Sequence, residues 1–252
     1  MKNRSFLSKA RGLLPALGFP TLALPSMVFL ALVLAVSFSC SQPSGNMAGL
    51  SLDSLRQADS VMKAYVDEGK LPCVATLIVK DGEIIHRLSY GVKTIEGEEP
   101  LTDDAIFRIY SMSKPITAAA LMTLYDESEF QLDDPVEKYI PVFEGTMVYE
   151  YGKLVPQNEP FTIRHLLTHT AGFTYGWGAG HVDSLYRTHS PGIWEIENLE
   201  KTMEVLAELP LKHQPGTTYE YSVSIDVAGY LVEVLSGMSF DNFLKERLFG
   251  PL

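Results

Sequence analysis

The chain is 252 residues long, 46% hydrophobic and 10% aromatic, with 20 basic and 31 acidic side chains for a formal net charge of −11. That length and apolar content suit one sizeable core in one or two domains. The acidic balance makes nucleic acid and anionic lipid surfaces poor partners.

Residues 1–39 read as an export signal. Lys2, Arg4, Lys9 and Arg11 form a basic lead, and the uncharged run "MVFLALVLAVSF" (27–38) is short for a spanning helix and about right for a secretory core. Without this segment 16 basic residues face 31 acidic ones, a net charge of −15. Ser37 and Ser39 set a small-x-small pattern before Cys40, which stands where a bacterial lipoprotein is lipidated. Phe38 is bulky for that motif, so lipidation, plain secretion and an uncleaved anchor stay open. The expected location is exported, either periplasmic or held at the membrane by a lipid on Cys40. Residues 40–50 read as a polar tether and 51–252 as the folded domain. With Cys40 used in processing, Cys73 has no mate, no disulfide framework is available, and Cys73 reads as a small buried hydrophobe.

Helical spacing of Leu55, Ala58, Met62 and Val66 predicts a helix from Leu52 to Val66, closed by Gly69 and Pro72. Alternation on either side of Asp81-Gly82 predicts a hairpin with strands at about 74–80 and 83–90. An isolated hairpin is marginal in water and needs a further layer; nothing later in the chain reads as a convincing strand. "SKPITAAALMTLYDES" predicts a helix starting near Ser111, since Pro115 fits only a first turn. "LDDPVEKYIPVF" reads as a turn with a short helix, its acidic cluster Asp133, Asp134 and Glu137 serving turn and cap chemistry. Thr162 is a candidate N-cap and Gly172 a stop for the helix in "FTIRHLLTHTAGF". "FTYGWGAGH" reads as a loop, and "SIDVAGYLVEVLSG" and "FDNFLKERLF" as two more helices.

The sequence holds two Ser-x-x-Lys patterns, Ser60/Lys63 and Ser111/Lys114, where about one is expected by chance. Ser60 falls in mid-helix, where backbone amides are consumed by the ladder, and reads as a surface position. Ser111 falls at a helix start, where free amides and the positive dipole end favour an oxyanion, and Lys114 lies one turn on along the same face. Burial there would hold the Lys114 amine neutral enough to accept the serine proton. The bland alternative is an N-cap serine beside a solvated lysine. His165 and His169 share the spacing of a zinc-protease pair, but the glutamate that should follow the first histidine is absent, which favours packing and capping over metal.

Five ordered blocks, "FRIYSMSKPIT", "LDDPVEKYIP", "FTIRHLLTHTAGF", "PGTTYEYSVSIDVAGYLVEVLSG" and "LFGPL", resemble the serine β-lactamase-related superfamily. The likeness is strongest to class C β-lactamase-like esterases (family VIII carboxylesterases), together with D-alanyl-D-alanine peptidases. The resemblance implies an α/β (α+β) fold, an antiparallel sheet with flanking helices plus a helical domain. It implies acyl transfer without metal or cofactor, with Ser111 as nucleophile, Lys114 as its activating partner and Tyr221 as the phenol that relays protons, a tyrosinate beside a Lys114 ammonium being the alternative to a neutral lysine base; Tyr219 in "YEY" is the competing tyrosine. Tyr110, Phe173, Tyr175, Trp177 and Val223 are candidates to line the substrate pocket. Val223 stands where lactamase-type members carry an asparagine that binds the substrate amide. That departure shifts the expected substrate from a β-lactam or peptidoglycan-like peptide toward a small-molecule ester. The superfamily's third motif, a Lys-Thr-Gly or variant on a later strand, is not found: "KTI" at Lys93 and "KTM" at Lys201 lack the glycine. The expectation is therefore a domain lacking its C-terminal strands, with a non-catalytic ligand-binding protein or an inactive fragment as the alternatives.

Overall fold

The computed structural model describes residues 49, 51–196 and 198–252. The expected export segment, Cys40 and most of the tether lie outside them. Among the described residues no helix is long and apolar enough to cross a membrane. The chain divides into two compact units, one ending at Ile106 and the other running from Phe107 to Leu252.

In the first unit, helix α1 (Leu52–Asp67) begins at Ser51, whose hydroxyl accepts the Ser54 amide at 3.3 Å. Strands β1 (Cys73–Lys80) and β2 (Glu83–Gly91) pair antiparallel around Asp81 (φ 53°) and Gly82 (φ 80°). Two consecutive positive φ values give a turn whose twist matches that of the strands, as the dipeptide predicts. The bulge expected of a twisted ribbon lies at Ile78/Val79. Helix α1 covers one face, where His86 Nε2 lies 2.8 Å from Asp59 and the Tyr90 hydroxyl donates to Asp67 at 2.7 Å. Leu77, Val79 and Ile84 are exposed. Ser60 donates its hydroxyl to the Arg56 carbonyl at 2.8 Å, as an ordinary mid-helix serine does.

The second unit holds the main core. A 3₁₀ turn (Tyr110–Met112) leads into α2 (Ser113–Asp126), with Pro115 in its first turn where the missing N–H has no partner to lose. Helix α6 (Ser224–Ser236) buries Ile225, Val227, Ala228, Leu231 and Val232, packs on α2, and ends at Gly237 in the left-handed conformation. Helix α7 (Phe240–Phe243) continues as a wide π turn over Leu244–Phe249.

Three findings differ from the sequence reading. A second hairpin exists, β3 (Met147–Glu150) with β4 (Lys153–Pro156), turning at Tyr151 (φ 47°) and Gly152 (φ 84°), and β3 also takes a parallel bridge from Leu211. Tyrosine rarely accepts a positive φ, so Tyr-Gly is a weak turn signal. Helix α3 (Ile163–Leu167) starts at Thr162 as expected but ends at Thr168, with His169 left-handed at φ 54°. Gly172 stops nothing: at φ 98° its missing Cβ leaves room for the His213 carbonyl, which would stand 2.4 Å away. Two helices went unpredicted, α4 (His181–Thr188) and α5 (Leu199–Glu208), the latter capped by Asn198 and burying Met203, Val205 and Leu206.

Phe143, Phe161 and Phe173 form an edge-to-face trio with centroids 5.2–5.7 Å apart. Phe173 has no exposed surface and belongs to this core, not to a pocket wall. Phe143→Ala is expected to cost about 3–5 kcal/mol in urea unfolding, the transfer and cavity terms of a fully buried ring. A loss below about 1 kcal/mol would mean that the trio is not the centre of the core.

Candidate active site

Ser111 is exposed on the 3₁₀ turn before α2, immediately after Tyr110, which is held at φ 45°. A non-glycine residue in that region is uncommon and stores strain. Lys114, one turn on, reaches Ser111 Oγ at 3.4 Å. Tyr221, remote in sequence, donates its hydroxyl to Ser111 Oγ at 2.7 Å. The Lys114 Nζ lies 4.8 Å from the Tyr221 ring centre and 5.4 Å from that of Tyr175. All four residues belong to the second unit.

Electrostatics then sort the two candidate bases. Burial alone would lower the Lys114 pKa, but the Tyr175 and Tyr221 phenols outweigh it and raise the value above that of an ordinary lysine. That direction favours the ammonium, the second of the two expected arrangements, over the neutral amine that burial alone would give. Tyr221 shifts the other way: the Ser111 hydroxyl first and the Lys114 ammonium second favour its phenolate. Tyr175 is raised by burial, which keeps its phenol protonated. Asp226, in the first turn of α6, is raised by burial and partly offset by Lys114.

His169 mounts Tyr221 from both sides. Its carbonyl accepts the Glu220 amide at 2.8 Å, and its Nδ1 accepts the Ser222 amide at 3.2 Å. A ring nitrogen that accepts is unprotonated, and burial followed by Lys114 lowers the pKa to match. The partner spaced four residues earlier, His165, closes a capping box with Thr162. These roles account for the histidine pair. Among the described residues no group of His, Cys, Asp and Glu is placed to hold a metal ion.

The other pocket candidates separate clearly. Tyr175 is buried and stacks against Trp177 (4.5 Å, 17°) and Trp194 (5.7 Å, 21°), which are 74% and 65% exposed. Tyr110 is exposed and Val223 is buried. Tyr219, the competing tyrosine, is exposed, and its ring faces His169 at 5.9 Å. Val223 lines a cavity of about 220 Å³ with Ile193, Trp194, Ile196, Leu199 and Asp226. A second cavity of about 370 Å³ shares Leu199 and Asp226 and reaches Lys114, Tyr110 and Phe240. The sequence reading missed Trp194 and Asp226. The only available signals were an aromatic in a Pro-Gly loop and an acid in a helix's first turn.

Known proteins share this arrangement of the chain. Esterase EstB of Burkholderia gladioli is 34% identical over 210 residues, 80% of this chain and 51% of that protein. The solved structure of EstCE1, a hydrolase with promiscuous acyltransferase activity, superposes with a TM-score of 0.65 at 27% identity, covering 78% of this chain and 51% of that one. The octameric penicillin-binding protein homologue from Pyrococcus abyssi gives a TM-score of 0.62 at 26% identity, over 78% of this chain and 42% of that one. The chain thus spans about half the length of these proteins, with a β-lactamase/transpeptidase-like fold. Residues 58–252 match the beta-lactamase family model, and the chain belongs to that family.

Proposed function

We propose that the protein is an exported serine hydrolase that transfers the acyl group of a small-molecule ester through a covalent intermediate on Ser111. The observation that carries the reading is the single hydroxyl held by both Tyr221 and Lys114. In this scheme Tyr221 acts once deprotonated: the 2.7 Å bond then runs from the Ser111 hydroxyl to the phenolate, which takes the serine proton as Oγ attacks the carbonyl carbon. The tyrosine then returns that proton to the leaving alkoxide as the carbon–oxygen bond breaks. Water repeats the sequence on the acyl-enzyme, with Tyr221 again as base, and the acid departs. Lys114 remains charged throughout and steadies the phenolate and the developing negative charge. No metal or cofactor enters. Export, with or without a lipid on Cys40, is part of the same proposal and rests on the sequence of residues 1–40.

Val223 directs the choice among carbonyls. An apolar side chain at that position offers no hydrogen bond to the amide that β-lactam and peptide substrates carry, although the cavity it lines holds Asn198, Thr202 and Asp226 beside Ile193, Trp194, Ile196 and Leu199. The relative named as an esterase supports the same choice. A p-nitrophenyl ester is expected to turn over with kcat/KM at least ~10-fold above that of a chromogenic β-lactam, the worth of one unmatched hydrogen bond. The reverse order would place the protein among the lactamases, and ligand binding without turnover of either would make it a binding protein.

A further inference from the structure

The two phenols around Lys114 come from distant segments. Tyr175 sits in a glycine-rich loop and Tyr221 just ahead of α6. One buried carboxylate joins the two. Asp183, in the first turn of α4, is 1% exposed. On the Tyr175 side it accepts the Thr174 hydroxyl at 2.7 Å, while that same hydroxyl accepts the Gly176 amide at 3.0 Å. The loop passes so close to it that a Cβ at Gly178 would stand 2.5 Å from Asp183 Oδ2. One turn along α4, Arg187 donates to the Gly176 and Gly178 carbonyls. On the Tyr221 side, Lys212 Nζ lies 3.1 Å from Asp183 Oδ2 and 2.9 Å from Oε1 of Glu220, the residue before Tyr221. The second oxygen of Glu220 faces His213 Nε2 at 3.6 Å.

We propose that Asp183 is a positioning residue: through Thr174 and Lys212 it fixes both phenols against Lys114, and its charge, beyond its volume, sets the rate of attack by Ser111. The inference rests on the serine hydrolase reading. The chain Thr174–Asp183–Lys212–Glu220 carries both charge signs and has little room to reorganise, since Asp183 is enclosed and Lys212 is pinned between two carboxylates. Burial would push the Asp183 pKa up, but the Thr174 hydroxyl and the Lys212 ammonium outweigh it and hold the group ionised. Neutralising it leaves Lys212 drawn toward Glu220 alone, which loosens the loop and the Tyr221 segment together.

The test compares the full chain with Asp183→Asn, which keeps an acceptor for Thr174 but removes the charge. Far-ultraviolet circular dichroism reports the fold, and the second-order rate of fluorophosphonate labelling is followed against pH. The expected result is a folded variant that labels about 10- to 100-fold more slowly. The acid limb of its pH profile should move up toward the ordinary tyrosine value, because Tyr221 loses the ammonium's help. The groups facing Tyr221, namely Ser111, Lys114, His169, Tyr175 and Asp226, are unchanged in the variant, so a moved limb reports their spacing. Thr174→Val, which deletes one neutral bond, should move the limb in the same direction by less and covers the case in which Asp183→Asn does not fold. A folded variant with an unshifted limb overturns the proposal even if its rate falls, since a purely structural role loses active protein without retuning it. A parent chain that forms no adduct sinks the hydrolase reading, and this one with it.

Discussion

Ser111→Ala is expected to remove the covalent adduct that a fluorophosphonate forms with the chain, and to lower ester turnover by roughly ten thousand- to a million-fold, the usual cost of deleting an acylated nucleophile. Because Ser111 is exposed, its truncation should change stability by no more than about 0.5 kcal/mol, and a folded, silent protein is the predicted outcome. Intact mass before and after labelling measures it directly. Ser60→Ala serves as the matched control, a serine with the same lysine spacing whose hydroxyl is spent on the Arg56 carbonyl. An adduct that survives Ser111→Ala, or disappears in Ser60→Ala, would remove Ser111 from the mechanism.

Tyr221→Phe carries the second-largest expected effect and tests the assignment of the base. The substitution keeps the ring that Lys114 and His169 face and deletes only the hydroxyl, so a loss of about 10²- to 10⁴-fold in kcat would be the worth of one proton-transfer group. The pH dependence supplies the sign. Tyr221 is shifted below the ordinary tyrosine value of 10.0, and its active form is the phenolate, so kcat/KM rises with pH through a limb on the acid side of that value. Lys114 is shifted above 10.5 and acts as the ammonium, so activity falls again beyond it. The acid limb should vanish in Tyr221→Phe. Persistence of the limb would pass the base role to another titrating group, with His169 and Asp226 the nearest candidates.

Much of this was legible before any coordinates, for reasons that particular residues show. Asp81-Gly82 announced its hairpin because positive φ angles are costly for most other residues, and Pro115 located the start of α2 because proline is tolerated only in a first turn. Ser111 and Lys114 were found together because one helical turn fixes their spacing. Tyr221 came from the resemblance, since no local rule connects residues 110 positions apart. The protonation of Lys114 stayed open between a neutral amine and an ammonium beside a tyrosinate because it depends on two tyrosines that only the fold brings near. Phe173 and Tyr175 show the same limit. They lie two residues apart in one aromatic stretch, yet one faces the core trio and the other faces Lys114. The second hairpin escaped because Tyr151 takes a conformation that tyrosine rarely adopts.

Both tryptophans of the chain, Trp177 and Trp194, stack on the same ring, that of Tyr175, beside the candidate site. Indole emission from this protein is therefore a local signal with no contribution from the core. A fluorescence titration would register whatever settles between the stack and Lys114, and the same emission followed during denaturation would report when this wall comes apart, which need not coincide with the melting of the phenylalanine trio. Unfolding curves taken by tryptophan emission and by backbone dichroism thus follow the wall and the whole fold separately, and any gap between their midpoints measures how independently the site's wall is held.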